Sequence, residues 1–203
     1  MLLLIFLRKI LAHKIALFLY VTVTTHLRMT QKQRKIFYPI IFFLGAILII
    51  WEINIYRETI INLMIPIGII MVVGVIAFIL DFKNYKSTYE YSGIGLYLYS
   101  AMHYVVGFGF IACSIFMLSN YYFADQNTRT ESFEIIRTSS LASGGKYRID
   151  VETPTFRINY NGKVKELVFS SEFYEKRKFY NNVELEIRQG LFGFDILENK
   201  KLN

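Results

Sequence analysis

Three stretches of the chain run for twenty residues or more with almost no charge, and beyond them the pattern changes from apolar blocks to alternation. The first, 36–56, is uncharged up to Glu52 and carries Trp51 and Tyr56 near one end. The second, 59–80, has no charge, and neither does the third, 91–124, which exceeds one crossing and has 96–121 as its spanning portion. About 20 apolar residues in a helix cover the roughly 30 Å hydrocarbon core of a bilayer, because backbone polar groups cannot be left unpaired in lipid. Transmembrane helices are therefore expected over 36–56, 59–80 and 96–121, within a helical domain of 29–124.

From 125 onward the period is two. Tyr147, Ile149 and Val151 alternate with Lys146, Arg148, Asp150 and Glu152, and Phe156, Ile158 and Tyr160 alternate with Thr155, Arg157 and Asn159. Such alternation marks half-buried strands. Pro154 is expected to turn the chain between the two. Asn161-Gly162 supplies the positive φ angles of a type I′ hairpin, with 163–169 as the returning strand. Val183, Leu185 and Ile187 alternate with Glu184, Glu186 and Arg188, a loop at 189–193 follows, and a last strand is expected at 194–197. A first strand is expected at 133–138, and 171–180 reads as a short capped helix or an irregular connection. The fold class is thus a membrane α-helical bundle followed by a small soluble, mainly-β domain at 125–203.

The first 28 residues fit neither pattern. Two apolar runs, 2–7 and 15–25, are interrupted by Arg8, Lys9, His13 and Lys14, and neither is long enough to span alone. Three readings stay open: translation starting at Met29, a fourth membrane helix, or a segment lying in the interface. The split apolar region and the lack of a small-residue cleavage site argue against a cleavable signal peptide.

Composition agrees with two solvents. Of 203 residues, 54% are hydrophobic and 17% aromatic, above the share of an ordinary soluble globule. The net charge of +7 is uneven: 1–122 carry ten basic residues against four acidic, and 123–203 carry thirteen against twelve. A near-neutral tail offers no net attraction to a phosphate backbone, which weighs against nucleic acid as a partner. The basic excess is better read as topology. Arg28, Lys32, Arg34 and Lys35 form a basic run without an acid, and such runs stay on the cytoplasmic side. Three crossings then deliver the tail outside, periplasmic or extracellular, from a bacterial inner or plasma membrane.

Helices in lipid associate through small residues and interhelical hydrogen bonds. Ser100, His103, Gly107 and Ser114 share one side of the third helix at heptad-like spacing, and Asn62, Pro66, Gly74 and Ala77 share one side of the second. These faces are expected to meet. His103 is the candidate intramembrane polar site, since an ionisable group at membrane depth is costly. A neutral imidazole bonded to a neighbouring helix is the plain alternative to a relay. Gly107 and Gly109 read as packing residues, and the lone cysteine, Cys113, as an apolar filler.

The tail has no His and no Cys, which removes Ser-His and Cys-His nucleophiles and the usual zinc sets from it. Ser143-Gly144-Gly145-Lys146 lacks the spacing of a phosphate-binding loop. Lys176, Arg177 and Lys178, flanked by Phe173, Tyr174, Phe179 and Tyr180, are a candidate surface contact; a solvated basic turn is the bland reading. No cofactor and no metal is expected. The first functional reading is a non-catalytic membrane accessory protein that binds lipid and another membrane or envelope protein, or itself. A channel or transporter subunit using His103 is the second, and an effector or sensor with a cytoplasmic ligand-binding β domain is the third. An embedded enzyme pairing His103 with Asp81 or Glu52 ranks last, because both acids are expected at helix ends.

Overall fold

In the computed structural model, which describes residues 29–141 and 152–203, three long apolar helices precede an antiparallel sheet. Segment 1–28, the expected strand over 146–152 apart from Glu152, and the 143–146 turn lie outside the described residues. The helices are α1 (Gln31–Glu58), α2 (Met64–Thr88) and α3 (Gly93–Tyr122), of 28, 25 and 30 residues, each long and apolar enough to cross a membrane. Their outward faces carry bare side chains such as Phe43, Ile47 and Ile79, as a lipid solvent requires.

The second helix differs from expectation at both ends. It begins at Met64 instead of 59, because Thr59 and Ile60 are drawn into the sheet described below. Asn62 starts it by accepting the Met64 N–H on its side-chain oxygen at 2.9 Å. Pro66 falls in the first turn, where a missing N–H costs no helical bond. At the other end the helix runs through Asp81, Lys83 and Lys86 to Thr88. Asp81 is therefore inside α2.

In α3 the residues His103–Gly109 adopt the wider π-helical turn between two α-helical stretches. Glycines let the backbones close in around it. A Cβ on Gly45 of α1 would stand 2.0 Å from the Val106 carbonyl oxygen, and one on Gly107 would stand 2.7 Å from Ile41. On the α2 side, a Cβ on Gly109 would stand 2.6 Å from the Ile70 carbonyl oxygen, and one on Gly74 would stand 3.0 Å from Val105. Gly107 thus meets α1 and not α2 as expected. The π turn bonds i to i+5, so side chains there advance by less than 100° per residue and leave the expected face.

The described residues divide into two compact units, one made of 29–56 with Ile61–Phe123, the other of Arg57–Ile60 with 124–141 and 152–203. The second unit holds β1 (Thr128–Leu141), β2 (Thr153–Tyr160), β3 (Lys163–Val168), β4 (Asn182–Gln189) and β5 (Asp195–Leu202), in the order β3-β2-β1-β4-β5. All pairings are antiparallel. The first half of β1 pairs β4 and the second half pairs β2, with a register shift between Ile135 and Arg137. That shift curls the sheet, and Phe156, Ile158, Leu167, Val183, Leu185, Ile187 and Leu197 share one core. Asn161 and Gly162 have φ of 50° and 82°, as the hairpin requires.

Pro154 does not turn the chain; it pairs Ser140 near the start of β2. On its other side its carbonyl accepts the N–H of Phe169, the residue after β3, at 3.1 Å, and near the start of the strand the missing proline donor is tolerated. Ser171–Phe173 is a single 3-10 turn. The strand β5 runs on to Leu202, past the expected end at 197, through charged residues that hide the alternation, and it carries a register shift between its partners Glu184 and Glu186, near Asn199 with φ of 43°.

One further piece belongs to this unit. Between α1 and α2, Thr59 bridges Ile196 and the Ile60 N–H reaches the Asp195 carbonyl at 2.7 Å, so the connection adds to the open edge of β5. Lys165 of β3 donates to the Thr59 carbonyl oxygen at 2.8 Å. Thr59 is fully buried and Ile60 joins the sheet core. The two edge strands of the curled sheet are thus tied through this strap.

Candidate functional site

The polar groups of the bundle gather in two places, each around a carboxylate. At the first, Tyr38 of α1 and Tyr104 of α3 both donate to Oδ2 of Asp81, at 2.6 and 2.8 Å, and Asn84 donates to Oδ1 at 2.6 Å. Tyr38, Tyr85, Leu96 and Tyr104 are buried together here, with Phe78, Phe82 and Phe108 packed against them. Three donors converge on one carboxylate, and three helices are tied at a single residue.

His103 is beside this cluster. Its Nδ1 lies 2.8 Å from the Tyr99 carbonyl oxygen and 3.1 Å from the Tyr85 hydroxyl. A carbonyl only accepts, so Nδ1 carries a proton, and in the neutral ring Nε2 is the nitrogen with the lone pair. The ring packs near Phe42 and Tyr85, with centroids 5.3 and 5.4 Å away.

At the second place, Glu52 of α1 accepts from the Cys113 thiol and the Ser114 hydroxyl of α3, each at 2.9 Å, one on each oxygen. Cys113 is therefore a donor to a buried carboxylate, not the apolar filler expected. Glu52 and Tyr38 are fourteen residues apart in α1, which at 1.5 Å per residue separates the two clusters by about 21 Å along the helix. An apolar groove of about 170 Å³ between α1 and α2 runs past Glu52, with Ile49, Tyr56 and Pro66 among its walls.

The residues singled out from the sequence are dispersed. Ser114 holds Glu52, and Gly74 and Gly107 sit at the close helix crossings. Pro66 is buried at the groove. Ser100 bonds back to its own helix at the Leu96 and Tyr97 carbonyls, and Asn62 is exposed at the start of α2. Lys176, Arg177 and Lys178 form turns in the β domain. There Arg177 stacks 3.7 Å over the Tyr174 ring and bonds the Tyr174 carbonyl at 2.7 Å, while Phe179 stands 79% exposed. Tyr38 and Tyr104 were not anticipated, and Asp81 was considered only as an acid at a helix end; the signal was a single acid directly after an apolar run.

In the sheet, Asp195 is gripped by Tyr160 at 2.6 Å and Arg129 at 3.1 Å. Burial and the Asp195 carboxylate push the Tyr160 hydroxyl up to about 12. Among the described residues no group of three or more His, Cys, Asp and Glu side chains is placed to hold a metal ion. No protein-family model, curated protein or solved structure matches the chain.

Proposed function

We propose that this chain is a non-catalytic integral membrane protein whose helices anchor it and whose β domain, on the outer side of the membrane, binds another membrane or envelope protein or a second copy of the chain. The observation that supports this reading most is the engagement of both carboxylates by the protein itself: Asp81 takes three donors and Glu52 takes two, from neighbouring helices or the same one. Groups whose every oxygen already accepts a protein donor act as interhelical glue. The outer side is supported by the basic run of Arg28, Lys32, Arg34 and Lys35 at the start of α1.

Cross-linking in native membranes followed by co-purification tests it. One stoichiometric protein partner, retained by His103→Ala, is expected; recovery of lipid alone would overturn the reading. A reporter fused after Asn203 should be active only outside, and activity confined to the cytoplasm would transfer the β domain to a cytoplasmic sensor. A second reading, a channel or transporter subunit, is favoured by Asp81 and Glu52 lying within helices instead of at their ends. It requires ion or proton flux in liposomes that His103→Ala abolishes.

A further inference from the structure

The turns that carry Lys176, Arg177 and Lys178 form a fixed projection between β3 and β4. The Tyr174 N–H donates to the Ser171 carbonyl at 3.0 Å, the Arg177 N–H to that of Tyr174 at 3.2 Å, and the Phe179 N–H to that of Lys176 at 3.0 Å. Phe173 and Tyr180, packed against the sheet core with their ring centroids 6.1 Å apart, fasten both ends of the projection. Arg177 is engaged inside it, bonded to the Tyr174 carbonyl and stacked on the Tyr174 ring. The tip therefore presents Lys176, Lys178 and Phe179, all exposed.

A single exposed apolar side chain is ordinary on a soluble domain. The setting of this one is not. Of the four aromatic residues in 173–180 only Phe179 is exposed, at 79%, and among the described residues neither Lys176 nor Lys178 is in an ion pair. Glu172 and Glu175 precede the tip, and 176–179 itself holds no acid. A ring held ready by turn bonds loses little freedom on binding, and aromatic residues are enriched at protein interfaces.

The place of the tip within the β domain favours a protein over a bilayer. The chain enters this unit at the end of the sheet where the Asp125 N–H donates to Gln189 and the Ile60 N–H to Asp195. The projection stands at the other end, before Asn182, about 24 Å from Gln189 along β4. We infer that Phe179, with the ammonium groups of Lys176 and Lys178, is the contact through which the β domain binds its partner, an acidic protein surface with an apolar socket for the ring. The inference rests on the reading of this domain as the part that binds another protein.

The photoreactive residue p-benzoylphenylalanine in place of Phe179, in the full-length protein within native membranes, tests the contact. Irradiation should link one protein, through a peptide richer in Asp and Glu than in Lys and Arg. Adding Lys176→Glu/Lys178→Glu should lower the yield by at least about tenfold, because like charges brought together across an interface oppose association. Amide exchange of β4 should stay unchanged in that variant, which separates lost contact from lost fold. The same photoreactive residue in place of Ile136, 59% exposed on β1, should not link that protein. Linkage of lipid alone, of a second copy of the chain, or of a protein whose yield ignores the charge reversal would overturn the inference. A protein that co-purifies with the chain but does not link from position 179 would overturn it and leave the partner-binding reading in place; the absence of any protein partner would overturn both.

Discussion

Ser114 of α3 donates its hydroxyl to Oε2 of Glu52 of α1 across 2.9 Å, within two helices whose surroundings are otherwise apolar. Glu52 keeps a second bond, from Cys113, when Ser114 is changed. In lipid an interhelical hydrogen bond contributes about 0.6 kcal/mol and at most about 1.7. Ser114→Ala should therefore destabilise the bundle by roughly that amount. A double-mutant cycle with Glu52→Gln, read by SDS titration of the full chain, should show coupling in that range. A coupling energy of zero would mean that the contact contributes no stability.

The glycines of α1 and α2 are not equivalent. A Cβ on Gly45 would meet the Val106 backbone at 2.0 Å, which no rotamer change relieves, whereas a Cβ on Gly68 meets nothing within 4 Å. Overpacking costs about 1–3 kcal/mol, and Ala is a better helix former than Gly by up to ~1 kcal/mol. Gly45→Ala should loosen the bundle and Gly68→Ala should leave it unchanged or firmer, both by SDS titration. The idea fails if the two variants behave alike.

Two groups, Lys165 and Tyr160, contribute to the pH dependence of the β domain with opposite sign. Lys165 titrates near 8 in the folded sheet and near its ordinary 10.5 when unfolded, so the folded state binds fewer protons between them and stability rises with pH over that window. Tyr160 is raised to about 12 from 10.0, so its contribution is complete below pH 10 and is lost as pH climbs toward 12. Amide exchange of β2 and β4, corrected for intrinsic rates, should show protection rising from pH 8 to 10. Lys165→Met should flatten the rise, and Tyr160→Phe should remove the fall above pH 10. A rise that persists in Lys165→Met would dissociate it from this lysine.

Local chemistry carried most of what was legible in the sequence. Uncharged runs marked the three helices, and Asn161-Gly162 marked the hairpin, because lipid burial and a positive φ each impose a demand on adjacent residues. What stayed hidden depends on distant partners. Thr59 and Ile60 are uncharged and precede an apolar run, so they read as helix; only Asp195, Ile196 and Lys165, more than a hundred residues away, make them part of a sheet. Asp81 read as the end of a span because an isolated acid in lipid is costly, and that cost is partly offset where Tyr38 and Tyr104 donate to it. The ends of β1, Thr128–Ser132 and Ser139–Leu141, are polar apart from Leu141 and do not alternate cleanly, since much of this central strand faces outward. The packing face of α3 went astray because a π turn breaks the 3.6-residue period on which wheel arguments rest.

Asp81 supports the sharpest distinction between removing a donor and removing the acceptor. Tyr38→Phe or Tyr104→Phe deletes one of its three bonds and should cost about 0.6–1.7 kcal/mol in lipid. Asp81→Ala instead leaves two tyrosine hydroxyls and the Asn84 amide without their acceptor, and a buried polar group left so costs about 1–3 kcal/mol. The acceptor variant should therefore exceed the sum of the two tyrosine variants, the non-additivity expected of groups sharing one partner. Asp81→Asn keeps an oxygen for one hydroxyl and should fall between them. All four variants can be compared by SDS titration of the full chain. Should Asp81→Ala prove as mild as Tyr38→Phe, the three helices are not joined through this carboxylate.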